Sequence, residues 1–406
     1  MYKFIRKRKR MKKGIRRLKK SFLALGYLLL LILGTIVGTI VKCVNKKYKD
    51  VWLISERGVD ARDNGFVFFE YLCKNHPEVN CYYIIDKHST DYEKVKNLGK
   101  TVGYKSFMHY MLLGISKYNI STHVMGYTPD MVIFVWLDRL HIIRGKKIFL
   151  QHGIIKDDML FNHYPHIRVD IFNTTAKPEY EYIRDTYGHP EGVVQMLGMC
   201  RYDKLCNHKN QNNRQILLMP TWRNDVILNC KTNKDFKKTE YFKVHQSLLN
   251  STRLNDILEK YDATLIFYPH LEMQKYLSTY STKYERMKIA SFQEYDVQKL
   301  LVDSQLLITD YSSVYFDFAY MEKPEIYYQF DEQAYRKGHY KEGYFSYRKD
   351  GFGPVVTKES ELLQQIIECA NSNWSISDIY MERIKNFFSL RDRNNCERTY
   401  EAITKL

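Results

Sequence analysis

The chain has 406 residues, of which 45% are apolar and 27% charged, a composition that suits about two packed domains with a true core. The net charge of +17 is not spread evenly. Residues 1–20 hold 12 Lys or Arg and no acid, which leaves +5 for the other 386 and excludes a basic nucleic-acid-binding surface on the globular part.

Residues 1–20 therefore form a basic tail. From Ser21 to Val41 there is no charge at all. As a helix this run is roughly 30 Å long, about the thickness of a bilayer core. It is apolar all round, which argues against a core helix of a soluble domain. It is longer than the apolar region of a cleaved signal peptide, and no small-x-small site follows Val41. Residues 21–42 are expected to be a membrane-associated helix, and Gly34 and Gly38 have the spacing of a helix-packing motif. The eight cysteines include no C-x-x-C pair and no zinc-like spacing with His, as expected in a reducing compartment.

After residue 50, short β-like runs alternate with longer helical patterns, the signature of α/β architecture. The expected strands in the first half are Val51–Ser55, Cys81–Ile85, Asn119–Thr122, Ile148–Leu150, Asp170–Asn173 and Val193–Leu197. In the second half they are Ile216–Met219, Thr264–Tyr268, Lys288–Ala290, Leu306–Thr309, Glu325–Tyr328 and Val355–Thr357. The polar stretch Cys206–Arg214 reads as the boundary. The expected domains are 50–205 and 215–375, with closing helices over 376–406 that pack back on the first.

Polar residues gather just after these strands: Gln151-His152-Gly153, Thr174-Thr175, Gly198, Pro220-Thr221-Trp222-Arg223, Pro269-His270 and Thr309-Asp310-Tyr311-Ser312-Ser313. Ligands of open parallel sheets bind beyond the carboxyl ends of the strands. Two such sheets facing each other make a cleft with a ligand site on each wall. The segment Ser304–Ala319 is the most informative, a buried strand running through a hydroxyl-rich turn into a helix. That arrangement holds phosphate, through free N–H groups and hydroxyls. The plainer reading of the same residues is an ordinary serine cap.

At these positions the chain resembles the CDP-glycerol:poly(glycerophosphate) glycerophosphotransferases, the teichoic-acid primases and polymerases of Gram-positive cell walls. The resemblance is carried by Leu307-Ile308-Thr309-Asp310-Tyr311-Ser312-Ser313 through Phe316-Asp317 to Lys323-Pro324. The His152-Gly153 pair, Arg201-Tyr202-Asp203, Pro220-Thr221-Trp222-Arg223, Ala61-Arg62-Asp63-Asn64-Gly65 and Arg391-Asp392 to Arg398 add to it. It runs from about residue 50 to the C-terminus. Two departures stand out. The family's Trp-His-Gly-Thr, with a Pro and a Lys following, reads Gln151-His152-Gly153-Ile154-Ile155-Lys156 here, keeping the His, Gly and Lys but not the Thr-Pro, and Pro269-His270 inverts the usual order.

The resemblance implies a GT-B-like fold, two facing Rossmann-type domains with a cleft between them, plus the N-terminal membrane segment. It implies attack of an acceptor hydroxyl on the β-phosphorus of CDP-glycerol or a related CDP-polyol such as CDP-ribitol, with release of CMP. His152 is the expected base, an imidazole being the side chain that titrates near neutrality. His270 is the expected phosphate donor. Gly153 permits close approach of the acceptor, or only a tight turn. Arg223, Thr309, Ser312 and Ser313 are expected to contact the donor. Asp310 is expected to brace the loop or bind a hydroxyl, and Asp317 to serve the donor site or simply the first turn of the helix. Asp203 is a candidate for ordering the interdomain loop. No metal and no cofactor are expected, since no carboxylate pair or His cluster has ligand spacing. A GT-B glycosyltransferase using a nucleotide sugar is the alternative, and a membrane-anchored scaffold a third reading.

The implied acceptor is a lipid-linked polymer, and the basic tail suits an anionic membrane surface. A cytosolic CDP-polyol places residues 50–406 in the cytoplasm, yet the tail's charge favours the same side. Both conditions hold if residues 21–41 dip into the membrane rather than cross it. The catalytic domains are then expected on the cytoplasmic face of the cell membrane.

Overall fold

The computed structural model describes residues 2–205, 214–338 and 341–406, with side chains from Lys20 onward. Nearly all of the expected Cys206–Arg214 boundary lies outside the described residues.

Two parallel sheets organise the chain. The first contains β1 (Trp52–Ser55), β2 (Cys81–Ile85), β3 (Thr101–Gly103), β4 (Tyr118–Ser121), β5 (Lys146–Phe149), β7 (Ile171–Thr174) and β8 (Val194–Met196), in the order β3-β2-β1-β4-β5-β7-β8. The second contains β9 (Gln215–Leu218), β10 (Thr264–Phe267), β11 (Met287–Ile289), β12 (Leu306–Thr309), β13 (Glu325–Tyr328) and β15 (Val355–Val356), in the order β11-β10-β9-β12-β13-β15. All pairings within both sheets are parallel. Every residue of β1, β4, β12 and β13 is buried, as strands covered by helices on both faces must be. The strand order reverses between β1 and β4 in one sheet and between β9 and β12 in the other. These switch points are where the loops diverge and leave a crevice.

All twelve expected strands form, shifted by no more than two residues at either end. Three further strands were not expected. β3 is short and pairs only with β2 at the sheet edge. The other two, β6 (Asp157–Asp158) and β14 (Lys341–Glu342), make an antiparallel pair that links the two halves. Further links run between the halves. Arg201 donates to Asp317 at 2.7 and 3.0 Å and to Asp63 at 2.8 Å, and the Tyr202 hydroxyl donates to Asp317. Arg336 pairs with Asp157.

The C-terminal helices pack on both halves. Ile384, Phe387 and Phe388 join a core with Phe316 and Phe352, while Cys396 and Ile403 join Trp52, Ile54 and Leu197. Asp203 receives the backbone N–H groups of Asn395 and Cys396, so it caps the last helix.

The N-terminal helix runs from Tyr2 to Val44, and its stretch Lys20–Val44 is long and apolar enough to cross a membrane. One flank is not free, however. A Cβ on Gly34 would lie 2.8 Å from the backbone of Tyr110 and Met111, and one on Gly114 would lie 2.2 Å from Thr35. The glycines let this helix seat directly on helix Phe107–Ile115. Ala24 packs with Ile133 and Leu137 of helix Met131–Leu137. The other flank presents Phe22, Leu25, Leu29, Ile36 and Ile40, and helix Met131–Leu137 adds Val132 and Trp136 to the exposed apolar surface.

Candidate active site

A cleft of about 920 Å³ opens between the two sheets. One wall is the loop after β5, residues Gln151–Asp157, with His123 from the loop after β4. The facing wall carries Thr221 and Trp222 after β9, His270 after β10, and Tyr311, Ser312 and Ser313 after β12. The walls nearly touch: a Cβ on Gly153 would lie 2.8 Å from Ser313 Oγ. The structure thus brings His152, Gly153, His270, Ser312 and Ser313 together.

The His152 loop is held from several sides. Gln151 has φ of 59°, which turns the chain sharply out of the strand just before the histidine. Its carbonyl accepts from Asn64 Nδ2 at 2.8 Å, and its side-chain amide donates to the Asn173 carbonyl. Glu179, fully buried, accepts the N–H groups of Ile155 at 2.8 Å and Thr175 at 2.7 Å. Burial pushes the Glu179 carboxyl up to about 7, against those hydrogen bonds, which favour the ionised form.

The Thr122 carbonyl lies beside the His152 ring and favours a proton on the near nitrogen, which leaves the other as a lone-pair acceptor. Enclosure by the cleft walls lowers its pKa; the Asp63 carboxylate works against this, and Arg201 and Arg57 with it. The ring is therefore a neutral base near pH 7, still open to the cleft.

His270 has the complementary arrangement. Its Nδ1 accepts the Glu272 N–H at 3.2 Å, so the neutral ring carries its proton on Nε2. Burial lowers its pKa. It lines the cleft as a neutral donor, 6.4 Å centroid to centroid from Trp222. Ser313 begins helix Val314–Tyr320 without a side-chain capping bond, and Ser312 accepts only a long 3.4 Å contact from Val314 N–H. Both serines thus retain hydroxyls for the cleft.

Four other expected contacts are placed elsewhere. Arg223 is 3% exposed and does not line the cleft. It donates to Asp331 at 2.7 and 3.0 Å, to Asp310 at 2.8 Å and to the Thr221 carbonyl at 2.9 Å, boxed in by Tyr241, Tyr311, Phe330 and Tyr335. With its last N–H turned to the Trp222 carbonyl at 3.5 Å, the guanidinium has no donors left for phosphate. Thr309 is buried and donates to the Met219 carbonyl. Asp310 receives the N–H groups of Thr221 and Tyr311, so of its two expected roles it takes bracing. Asp317 is spent on Arg201 and Tyr202, which ties the halves together.

Sequence reasoning passed over His123, Glu179 and Tyr335, and gave Lys156 no role beyond its place in the His152 motif. His123 follows β4 as His152 follows β5, so the strand-end rule could have found it. Lys156 is buried against Asp157 and lies over the Tyr347 ring at 5.4 Å. Glu179 sits within a helix and has no sequence signature. Among the described residues no group of three or more His, Cys, Asp or Glu is placed to hold a metal.

The profile of the CDP-glycerol:poly(glycerophosphate) glycerophosphotransferases matches residues 36–405. The chain belongs to this glycerophosphotransferase family. It is 35% identical over 370 residues to the minor teichoic acid biosynthesis protein GgaB of Bacillus subtilis strain 168, covering 88% of this chain and 40% of GgaB. It is 21% identical over 402 residues to the teichoic acid poly(glycerol phosphate) polymerase of the same strain, covering 90% of this chain and 52% of the polymerase. The chain thus spans about half or less of the length of these relatives. The fold matches that of the wall teichoic acid polymerase TagF, with a TM-score of 0.66 at 18% identity over 96% of this chain and 98% of the other. The glycerophosphotransferase family thus shares its two-sheet GT-B-like architecture with this chain, and the family's activity class is transfer for teichoic acid synthesis.

Proposed function

We propose that this chain transfers glycerol phosphate, or a related polyol phosphate, from a CDP-linked donor to a hydroxyl of a membrane-linked teichoic-acid-type acceptor, releasing CMP. The observation that carries this reading is the opposition of two neutral imidazoles of opposite polarity across one cleft. His152 offers a lone pair and His270 offers an N–H.

In this reaction the acceptor hydroxyl gives its proton to the free ring nitrogen of His152. Its oxygen bonds to the β-phosphorus, and the bond from that phosphorus to the bridging oxygen breaks. The electron pair leaves with CMP. His270 Nε2–H and the hydroxyls of Ser312 and Ser313 meet the phosphate oxygens where charge develops. Trp222, beside His270, offers a ring face to the donor's base. The near contact of Gly153 with Ser313 supports this geometry, because it sets the acceptor wall directly against the donor wall.

The acceptor is met at a membrane surface. The packing of Gly34 and Gly38 on helix Phe107–Ile115 supports a helix lying along the interface with its domain, since a crossing helix would drag the flank of the first half into the bilayer. The catalytic halves then face the cytoplasm, on the same side as the basic tail.

The test is the full chain with CDP-glycerol, CDP-ribitol and UDP-sugars, each with a lipid-linked acceptor. Release of CMP from a CDP-polyol is expected. Transfer from a UDP-sugar alone would overturn the reading in favour of a glycosyltransferase, and inactivity with every donor would favour a scaffold.

A further inference from the structure

The His123 and His152 rings stack with centroids 4.5 Å apart and planes 8° from parallel. Both lie against one residue. The Thr122 carbonyl faces the His152 ring, and the Thr122 hydroxyl bonds His123 Nδ1 at 3.0 Å. Thr122 is fully buried at the end of β4, beside the switch point of the first sheet. The His123 backbone is fixed in turn, its N–H donating to Ser121 Oγ at 3.2 Å. Sheet geometry thus sets the plane of His123, and His123 covers one face of His152.

We propose that His123 is a positioning residue for His152, a stacked imidazole that fixes the plane of the base and shields one of its faces from water. The inference rests on His152 serving as the base. Two stacked imidazoles cannot both be charged at this separation without strong repulsion. His123 is the one held neutral most firmly: burial first, then His152 and Arg57, push it down to about 2. The groups that bear on His152 are Asp63, which favours its charge, and Arg201 and Arg57, which oppose it. The stack adds desolvation to the two cations. Its removal lets water reach the His152 face and raises the proton affinity of the base. A base that is protonated at neutral pH cannot accept the acceptor's proton, so the stack has a consequence for activity as well as for ring position.

The test is a histidine-labelled NMR titration of the full chain, with the His152 signal assigned by its loss in His152→Asn. His123→Ala and His123→Gln are compared with His123→Phe, which keeps a flat ring without nitrogens. The wild-type His152 midpoint is expected below 6.5. In His123→Ala and His123→Gln it is expected to rise by about one unit, a tenfold gain in proton affinity. In His123→Phe it is expected to stay low. The acid limb of the pH–rate profile moves with it. If Ala does not fold, Gln against Phe carries the same comparison. A midpoint that is equal in all the variants overturns the proposal. The titration needs no substrate, so a chain inactive with every CDP-polyol would sink the proposed function without deciding this one.

Discussion

Gly153 on one half and Ser313 on the other approach so closely that a Cβ on the glycine would sit 2.8 Å from Ser313 Oγ. This is a contact between the loop that carries the base and the loop that carries the donor hydroxyls. Gly153 has no positive φ, so alanine fits its backbone and only the cleft is affected. Gly153→Ala is expected to wedge the walls apart by a few tenths of an ångström or turn the serine aside. Misplacement of about 1 Å at a reacting centre can cost about 10²-fold in rate, so a loss of roughly tenfold or more is expected. Turnover with a CDP-polyol, set beside an unchanged melting temperature, checks this.

Arg223 and Ser313 separate stability from activity. Arg223 joins Asp310 and Asp331 in the interior of the second half, with all three side chains under 10% exposed. Arg223→Ala leaves two buried carboxylates unpaired, a change that typically costs about 3–5 kcal/mol. Denaturant unfolding is expected to show that loss. Ser313→Ala removes an exposed hydroxyl with no capping bond and should change stability by no more than about 0.5 kcal/mol. It is expected instead to weaken turnover. Equal stability of the two variants would overturn this assignment of roles.

The contrast shows what could be read from the sequence. β1, β4 and β12 are unbroken buried runs, and such runs are visible in a single chain. The two-residue strands β6 and β14 have no pattern of their own and exist only because each meets the other. In the cleft, His152, His270, Ser312 and Ser313 follow from a simple rule about strand ends. Arg223 obeys the same rule, yet its partner Asp331 lies 108 residues away and nothing local reveals that the charge is already paired. Glu179 illustrates the opposite case, a carboxylate in a helix whose importance lies in the N–H groups of Ile155 and Thr175 and the side-chain amide of Gln151 that it gathers.

Acid is expected to destabilise the fold through its buried histidines. His109 accepts the Lys105 N–H on Nδ1 and bonds the Tyr127 carbonyl through Nε2 at 2.8 Å, so its neutral form is fully satisfied. Burial pushes His109 down to about 4. Below pH 6.5 the unfolded chain takes a proton that the folded chain refuses, so stability falls as pH drops toward about 4. A depression from 6.5 to about 4 corresponds to about 3 kcal/mol. Glu179 and Glu56 work in the opposite direction, since burial raises them to about 7 and about 8, and their stabilisation grows as pH falls toward 4.5. The histidine's share is isolated by comparison with His109→Gln. That variant should lose less stability between pH 6.5 and 4 than the wild type, as followed by urea unfolding; parallel curves would remove His109 as a cause.

The seating of the N-terminal helix gives a last prediction. Gly34 lies against the backbone of Tyr110 and Met111, where no side chain can move aside to admit a Cβ. Gly34→Leu must therefore lift this part of the helix off helix Phe107–Ile115. Lifting it exposes Leu31, Tyr110 and Met111, now buried together, at a cost of about 25 cal/mol for each Å² of apolar surface returned to water. The apolar run itself is untouched, so sedimentation with vesicles should persist. What should change is the joint after the helix. Residues Asn45–Lys49 are tied to Asn80, whose side-chain amide donates to the carbonyls of Lys47 and Lys49, and a detached helix leaves that joint to carry the load alone. Limited proteolysis near residues 45–50 is expected to speed up in Gly34→Leu, with a lower melting temperature. If cleavage and melting match the wild type, the helix is not held to its domain by this contact, and a free crossing helix becomes the better description of the membrane segment.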